Sequence, residues 1–314
     1  MELDKIKRIL VVGAGTMGHA IAQVYATAGF EVDLVDLNQE VLDNAMNKIK
    51  SNLSLLVEYK HVKSGEISNI LNRIHPSIDL KVAAQNCDLV LEAVSEDRNV
   101  KREVFSQLNE FCSEDIILAS NTSELNIFNV AKVKNPKRLV IHHWFHPPYI
   151  IPLVEIVAGR KTSSKVIDIS FKLLEKIGKK PLILKKFTNA FVVNKIQQAI
   201  NSAVFTLLIR GIASPEEIDM AIKNSLGIRL PFVGVAQNLD FVGLDVVYDI
   251  IKNMGGMDLV LLRDKVKNGQ LGAKTSIGFY DYQGRTEEEI LTKRDKLYLQ
   301  MLDYLKKMNA FEPI

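Results

Sequence analysis

Arg8-Ile9-Leu10-Val11-Val12-Gly13-Ala14-Gly15-Thr16-Met17-Gly18 decides how this chain folds. Four apolar residues in a row make a strand-length run, and three glycines then follow at spacings of two and three. Helical spacing over 16–28 closes at Gly29, and Glu31-Val32-Asp33-Leu34-Val35-Asp36 returns as a second strand. Strand, tight turn, helix and strand in so short a span predict a parallel pair joined by a right-handed crossover. Such a turn offers backbone N–H groups and a helix N-terminus to a pyrophosphate. Asp36 ends the second strand 18 residues beyond Gly18, where a carboxylate can bond both ribose hydroxyls of an adenosine. It would repel a 2′-phosphate, and no Arg stands in Leu37-Asn38-Gln39 to reverse that. Gly13, Gly15, Thr16, Met17, Gly18 and Asp36 are therefore candidate cofactor contacts, and the cofactor they favour is NAD over NADP.

Working outward, the alternation continues. Helical patterns cover 39–59 and 66–73, and Asp88-Leu89-Val90-Leu91-Glu92-Ala93-Val94 reads as a buried strand. Strands over 116–120 and 139–144 bracket helices over 101–111 and 125–131; 153–157 and 182–184 close the sheet around a helix over 163–177. Past Lys185 the pattern becomes helical only. A long apolar helix spans 191–210, and Ser214-Pro215-Glu216-Glu217 opens the next one with a capping serine, a proline at the first position and the glutamate of a capping box. Further helices are expected over 235–254, 257–268 and 286–308. The fold class is thus α/β, an N-terminal Rossmann-type doubly wound sheet over 1–187 followed by an all-helical domain over 188–314.

Composition narrows the function. With 314 residues and 47% hydrophobic content the chain can bury a sizeable core, and 40 basic against 37 acidic residues leave a net charge of +3 without a clustered basic stripe. Nucleic acid is not an expected partner. No run of about 18 apolar residues exists and the N-terminus passes straight into a strand, so a cytoplasmic protein without a membrane partner is expected. Cys87 and Cys112 lack a Cys-x-x-Cys spacing, which suggests neither a disulfide framework nor zinc. No pair of His at ligand spacing shares a helix with carboxylates, so no metal is expected.

Hydride chemistry at an alcohol needs a base for the hydroxyl proton and a group that fixes the tautomer of that base. His142 and His143 end a strand in His142-His143-Trp144-Phe145-His146-Pro147-Pro148-Tyr149, at the carboxyl edge where open α/β sheets bind ligands. Alternation sends them to opposite faces, so one at most is the base. Spacing alone does not choose between them.

Ser120-Asn121-Thr122-Ser123-Glu124-Leu125, then His143-Trp144-Phe145-His146-Pro147, then Pro152-Leu153-Val154-Glu155, then Phe191-Val192-Val193-Asn194-Lys195 resemble, in order and spacing, the signatures of the 3-hydroxyacyl-CoA dehydrogenases. The resemblance extends to Leu239-Asp240-Phe241-Val242-Gly243-Leu244-Asp245 and to Lys274-Thr275-Ser276-Ile277-Gly278-Phe279-Tyr280. It implies His143 as general base, Glu155 as the carboxylate orienting it, and Ser123 and Asn194 as hydrogen-bonding partners of the reacting oxygen. On the cofactor side it implies Glu96, Lys101, His146 and Lys274. The implied substrate is a short L-3-hydroxyacyl-CoA of fatty-acid β-oxidation, and the implied assembly a homodimer paired through the helical domain.

Three places depart from the family pattern. His146 stands where an Asn is usual, and Asn189-Ala190 replaces Pro-Gly before the Asn194 helix. The serine and lysine that contact CoA fall at Asn52 and Tyr59, with Lys60 and Lys63 as the nearby substitutes. The chain is also similar to the branch containing lambda-crystallin and L-gulonate 3-dehydrogenase, which implies a free hydroxy acid as the alternative substrate and Arg229 as its cation. A crystallin-like nucleotide-binding role without turnover is the other alternative.

Overall fold

The computed structural model describes residues 2–255 and 259–312. Its contacts divide the chain into two units, 1–199 and 200–314. In the first, β1 (Arg8–Val12), α1 (Gly18–Thr27), β2 (Glu31–Val35), α2 (Gln39–Glu58), α3 (Ile67–Asn72), β3 (Ile74–Ser77), α4 (Leu80–Gln85), β4 (Leu89–Glu92), α5 (Arg98–Phe111), β5 (Ile117–Ser120), α6 (Ile127–Val130), β6 (Leu139–Trp144), β7 (Leu153–Ala158), α7 (Ser164–Lys176) and β8 (Lys180–Leu184) follow in order. The eight strands form one sheet in the order β3-β2-β1-β4-β5-β6-β7-β8. The first six run parallel, in the order of the dinucleotide-binding fold, and the chain passes from β3 back across β2 and β1 to β4, which puts the switch point between β1 and β4. β7 runs antiparallel to β6, and β8 is parallel to β7.

Strands buried on both faces explain the unbroken apolar runs. One face packs α1, α2 and α7 through Ile21, Tyr25, Leu42, Ile49, Ile169 and Leu173. The other packs α4, α5 and α6 through Ala83, Phe105, Leu108, Ile127 and Val130. Helix starts are capped as the sequence dictates: Asn38, Asp79, Asp97 and Ser163 each accept a bond from a backbone N–H of the first turn.

Sequence pattern misses β3 and α4. Strand β3 reads Ile74-His75-Pro76-Ser77, and proline fits a strand only at an edge, which is where β3 lies. Helix α6 is a single turn, shorter than the 125–131 pattern suggests.

The second unit is helical. Helix α8 (Val193–Ile209) begins in the first unit, and α9 (Pro215–Lys223), α10 (Leu226–Arg229), α11 (Val235–Val242), α12 (Leu244–Asn253), α13 (Val260–Lys267) and α14 (Glu287–Lys307) follow. Capping boxes open α9 at Ser214 and α14 at Thr286. The single helix expected over 235–254 is two, because Gly243 adopts φ +98 between them. Residues 257 and 258 of the helix expected over 257–268 lie outside the described residues. Asp240, fully buried, ties this unit together: Oδ1 accepts from Phe279 N (2.8 Å), and Oδ2 from Tyr280 N (2.9 Å) and Tyr282 OH (3.1 Å). No helix among the described residues is long and apolar enough to cross a membrane.

Candidate active site

The glycine turn has the shape a dinucleotide requires, with a different reason for each glycine. Gly13 sits at φ +97, and a Cβ on it would lie 2.7 Å from the Ala93 carbonyl; a Cβ on Gly18 would strike the Gly13 carbonyl at 1.7 Å. These two let β1, β4 and α1 close on one another. A Cβ added to Gly15 would meet nothing within 4 Å, so this side of its backbone is open to an incoming pyrophosphate. Ala14 N donates to Asp36 Oδ2 (2.8 Å), which pins the carboxylate of β2 against the turn. His19 in the first turn of α1 holds Gly15 O through Nδ1 (2.6 Å), and burial lowers its basicity. These residues fit NAD.

Beside the turn lies a buried ionic network. Lys101, 1% exposed, reaches Glu92 Oε1 (2.6 Å) and Glu96 Oε2 (3.2 Å). Glu92 is fully buried at the end of β4, where its other oxygen accepts from Ser120 Oγ (2.5 Å). Glu96 Oε1 accepts from Thr122 Oγ1 (2.5 Å) and from the backbone N–H groups of Ser123, Glu124 and Leu125 (3.0, 3.1 and 3.3 Å). That carboxylate is held below the usual range by these bonds and by Lys101, against the opposing effect of its own partial burial, which is the largest single influence. Glu96 and Lys101 thus shape the loop that carries Ser123. Glu92 and Thr122 were not read as site residues, although a glutamate closing an apolar strand was a visible signal.

The antiparallel pairing of β6 with β7 sets His143 opposite Glu155. His143 Nδ1 lies 2.8 Å from Glu155 Oε2, with the carboxylate fully buried and the imidazole nearly so. Phe145 and Phe191 pack on the imidazole with ring centroids at 4.6 and 5.1 Å. Glu155 Oε1 accepts from Val192 N (3.0 Å) and Val193 N (3.1 Å), so the same carboxylate caps the start of α8, whose first turn carries Asn194. Gln198, one turn on, donates to Glu124 beside Ser123 (2.9 Å). These contacts gather Ser123, His143, Glu155 and Asn194 into one neighbourhood of the first unit. The chain enters α8 through Ala190 (φ 62) and Phe191 (φ 51), two left-handed residues where neither is glycine.

His142 points to the other face, fully buried, with neither ring nitrogen bonded; burial pushes its basicity down to about 3. Of the two histidines, His143 is the one with a carboxylate partner. Of the remaining residues read from sequence, His146 is exposed after the end of β6, and Lys60 and Lys63 are exposed where α2 ends. A cavity of about 760 Å³ opens beside them, walled by Tyr59 and His61 together with Gln23, Tyr149, Lys176 and Lys179. In the second unit, Lys274 pairs with Asp245 (2.9 Å), and Arg229 closes the short α10.

Comparison with known proteins gives the family. Residues 8–187 match the model of the 3-hydroxyacyl-CoA dehydrogenase NAD binding domain, and residues 191–282 match the 3-hydroxyacyl-CoA dehydrogenase C-terminal domain. A probable 3-hydroxybutyryl-CoA dehydrogenase of Bacillus subtilis is 37% identical over 90% of this chain and 99% of its own. The human lambda-crystallin homolog is 31% identical over 74% of this chain and 73% of its own. The crystal structure of a 3-hydroxyacyl-CoA dehydrogenase from Archaeoglobus fulgidus superposes with a TM-score of 0.80 at 29% identity, covering 96% of this chain and 99% of that one. The glycine turn with its aspartate, the histidine–glutamate pair and these matches together show that the chain is an NAD-binding oxidoreductase belonging to the 3-hydroxyacyl-CoA dehydrogenase family.

Proposed function

We propose that this protein interconverts a short L-3-hydroxyacyl-CoA, such as 3-hydroxybutyryl-CoA, and its 3-oxoacyl-CoA, with His143 as general base. The observation that carries the proposal is the His143–Glu155 pair at 2.8 Å. Glu155 accepts a hydrogen bond from Nδ1–H, so Nε2 is the nitrogen left to receive the proton of the substrate hydroxyl. As the imidazole becomes charged, the buried carboxylate stabilises it. Ser123 Oγ and the Asn194 amide hydrogen-bond the substrate oxygen. Bound NAD would supply the acceptor for the hydride of the carbinol carbon. Gly13, Gly15, Thr16, Met17, Gly18 and Asp36 would hold it, Glu96 and Lys101 would fix the wall beside it, and His146 would complete the set.

Residues 1–187 then serve the cofactor, and 188–314 serve substrate binding and pairing. Exposed apolar side chains of the helical unit, Phe205, Ile209 and Met254 among them, support a homodimer. Two unbridged cysteines support a cytoplasmic setting. The nucleotide end of the thioester would lie along the end of α2, with Lys60 and Lys63 offering charge to its phosphates.

A screen of NADH oxidation against acetoacetyl-CoA and against free 3-oxo acids tests this reading. Turnover with the thioester is expected, and exchanging Lys60 and Lys63 together for alanine should raise KM with little change in kcat. Turnover of free acids alone, abolished by Arg229→Ala, would replace the thioester by a free hydroxy acid, as the likeness to the lambda-crystallin homolog would then have it. Binding of NADH without turnover of any 3-oxo compound would leave a nucleotide-binding role. Preference for NADH over NADPH should reach at least about tenfold, and Asp36→Ala should narrow it.

A further inference from the structure

Helix α1 starts differently from its neighbours in the first unit. Asn38, Asp79, Asp97 and Ser163 each offer an acceptor to a first-turn N–H of the helix they precede, whereas α1 follows Met17, whose side chain caps nothing. Among the described residues, none accepts from the N–H groups of Thr16, Met17 or Gly18. One side chain nevertheless closes on this turn, and it does so through a carbonyl. His19, 7% exposed, places Nδ1 2.6 Å from Gly15 O. A carbonyl only accepts, so Nδ1 carries a proton and donates it to the bond. The backbone N–H of His19 lies 3.5 Å from the same oxygen, at the limit of hydrogen bonding, which leaves the imidazole as the main hold on it.

Peptide geometry carries the effect of that bond to the other side of the turn. The Gly15–Thr16 peptide is trans and planar, so its C=O and N–H point in opposite directions. Holding Gly15 O back toward α1 therefore turns Thr16 N–H out of the turn, beside the glycine whose missing side chain leaves room for a phosphate. A serine or aspartate at the N-cap would itself bond a first-turn N–H. His19 orders the same turn from behind and leaves those donors, with the positive end of the helix, to an anion.

We propose that His19 is a positioning residue for the dinucleotide: by holding the Gly15 carbonyl it aims the Thr16 N–H at the pyrophosphate. It touches no reacting atom and exchanges no proton with the substrate. Burial lowers the basicity of the ring, which suits a neutral donor. This role depends on the NAD-binding turn and not on the acyl substrate, so it survives a change from thioester to free acid. The chain also shows which smaller side chain can make the same bond. Thr27, Ser54, Thr206 and Ser225 each donate a hydroxyl to the carbonyl four residues back, at 2.8, 3.0, 2.8 and 2.6 Å, the same spacing as His19 to Gly15.

Fluorescence titration with NADH, followed by its displacement with ADP or with adenosine, tests this. In His19→Ala the Kd for NADH and for ADP should rise about tenfold, as for one lost hydrogen bond that ordered the phosphate contact. The Kd for adenosine, which has the ribose for Asp36 but no pyrophosphate, should stay within about twofold. His19→Ser should recover most of the loss, because its hydroxyl can reach Gly15 O. His19→Phe keeps the bulk of the ring without the donor and should bind ADP as weakly as the alanine variant. Should alanine fail to fold, phenylalanine against serine makes the same comparison. Wild-type affinity for ADP without the donor, an equal loss for ADP and adenosine, or a serine variant no better than those lacking the donor would overturn the proposal.

Discussion

Two neighbouring residues of one strand meet opposite fates. His142 and His143 share β6, share a residue type and are both buried, yet one faces apolar core under α1 and α7 while the other faces a carboxylate and the start of α8. On the first face the imidazole has no partner and stays neutral down to about pH 3. On the second it has a fixed tautomer and a counter-charge. Burial by itself therefore says little about chemistry; what lies across the sheet decides it.

The strongest way to break this comparison is to exchange each histidine. His143→Gln should lower kcat by roughly 100-fold or more while NAD affinity stays nearly constant, measured by steady-state kinetics and NADH titration. His142→Gln should hardly change kcat, and the reverse pattern would put the base on the wrong residue. Glu155→Gln comes next, with a loss of about tenfold or more that stays below the histidine effect. Glutamine has one acceptor end: offered to His143, it turns its NH2 toward the Val192 and Val193 amides, and offered to those amides, it presents a donor to Nδ1 and forces the wrong tautomer.

The third prediction concerns stability on the silent face. The unfolded chain protonates His142 near the ordinary value of about 6.5, whereas the folded chain resists until about 3. Stability from this residue is complete above about pH 6.5 and is lost as pH falls toward 3, at a slope of up to about 1.4 kcal/mol per pH unit. His142→Leu should flatten the fall in Tm between pH 7 and pH 5, and an unchanged slope would show that the ring is solvated. The smallest effect should come from Ala190→Gly. Left-handed geometry costs an alanine about 1 kcal/mol, so this change should raise Tm by a few degrees, and a lowered Tm would mean that the Cβ packing of Ala190 outweighs its backbone cost.

Much of the cofactor half was legible because its signals are local: a glycine turn, a capped helix and an aspartate at a strand end all act within one β-α-β unit. Asp240 was quoted only as part of a motif, and its work in joining 239–245 to 274–282 became visible only with the fold. The break at Gly243 could have been suspected, since an interior glycine in a helical pattern lowers the odds of continuity. The double duty of Glu155 could not, because the α8 amides reach it from 37 residues away.

The two amides held by Glu155 Oε1 also make the pair observable without any substrate. In a nitrogen-15 NMR spectrum, the Val192 and Val193 cross-peaks should move when a proton arrives at or leaves the carboxylate–imidazole couple, since both N–H vectors point at one of its oxygens. Slow hydrogen–deuterium exchange at these positions would mark them as anchored in spite of the helix end on which they lie. The first turn of α8 is thus a built-in indicator of the charge carried by the His143–Glu155 couple.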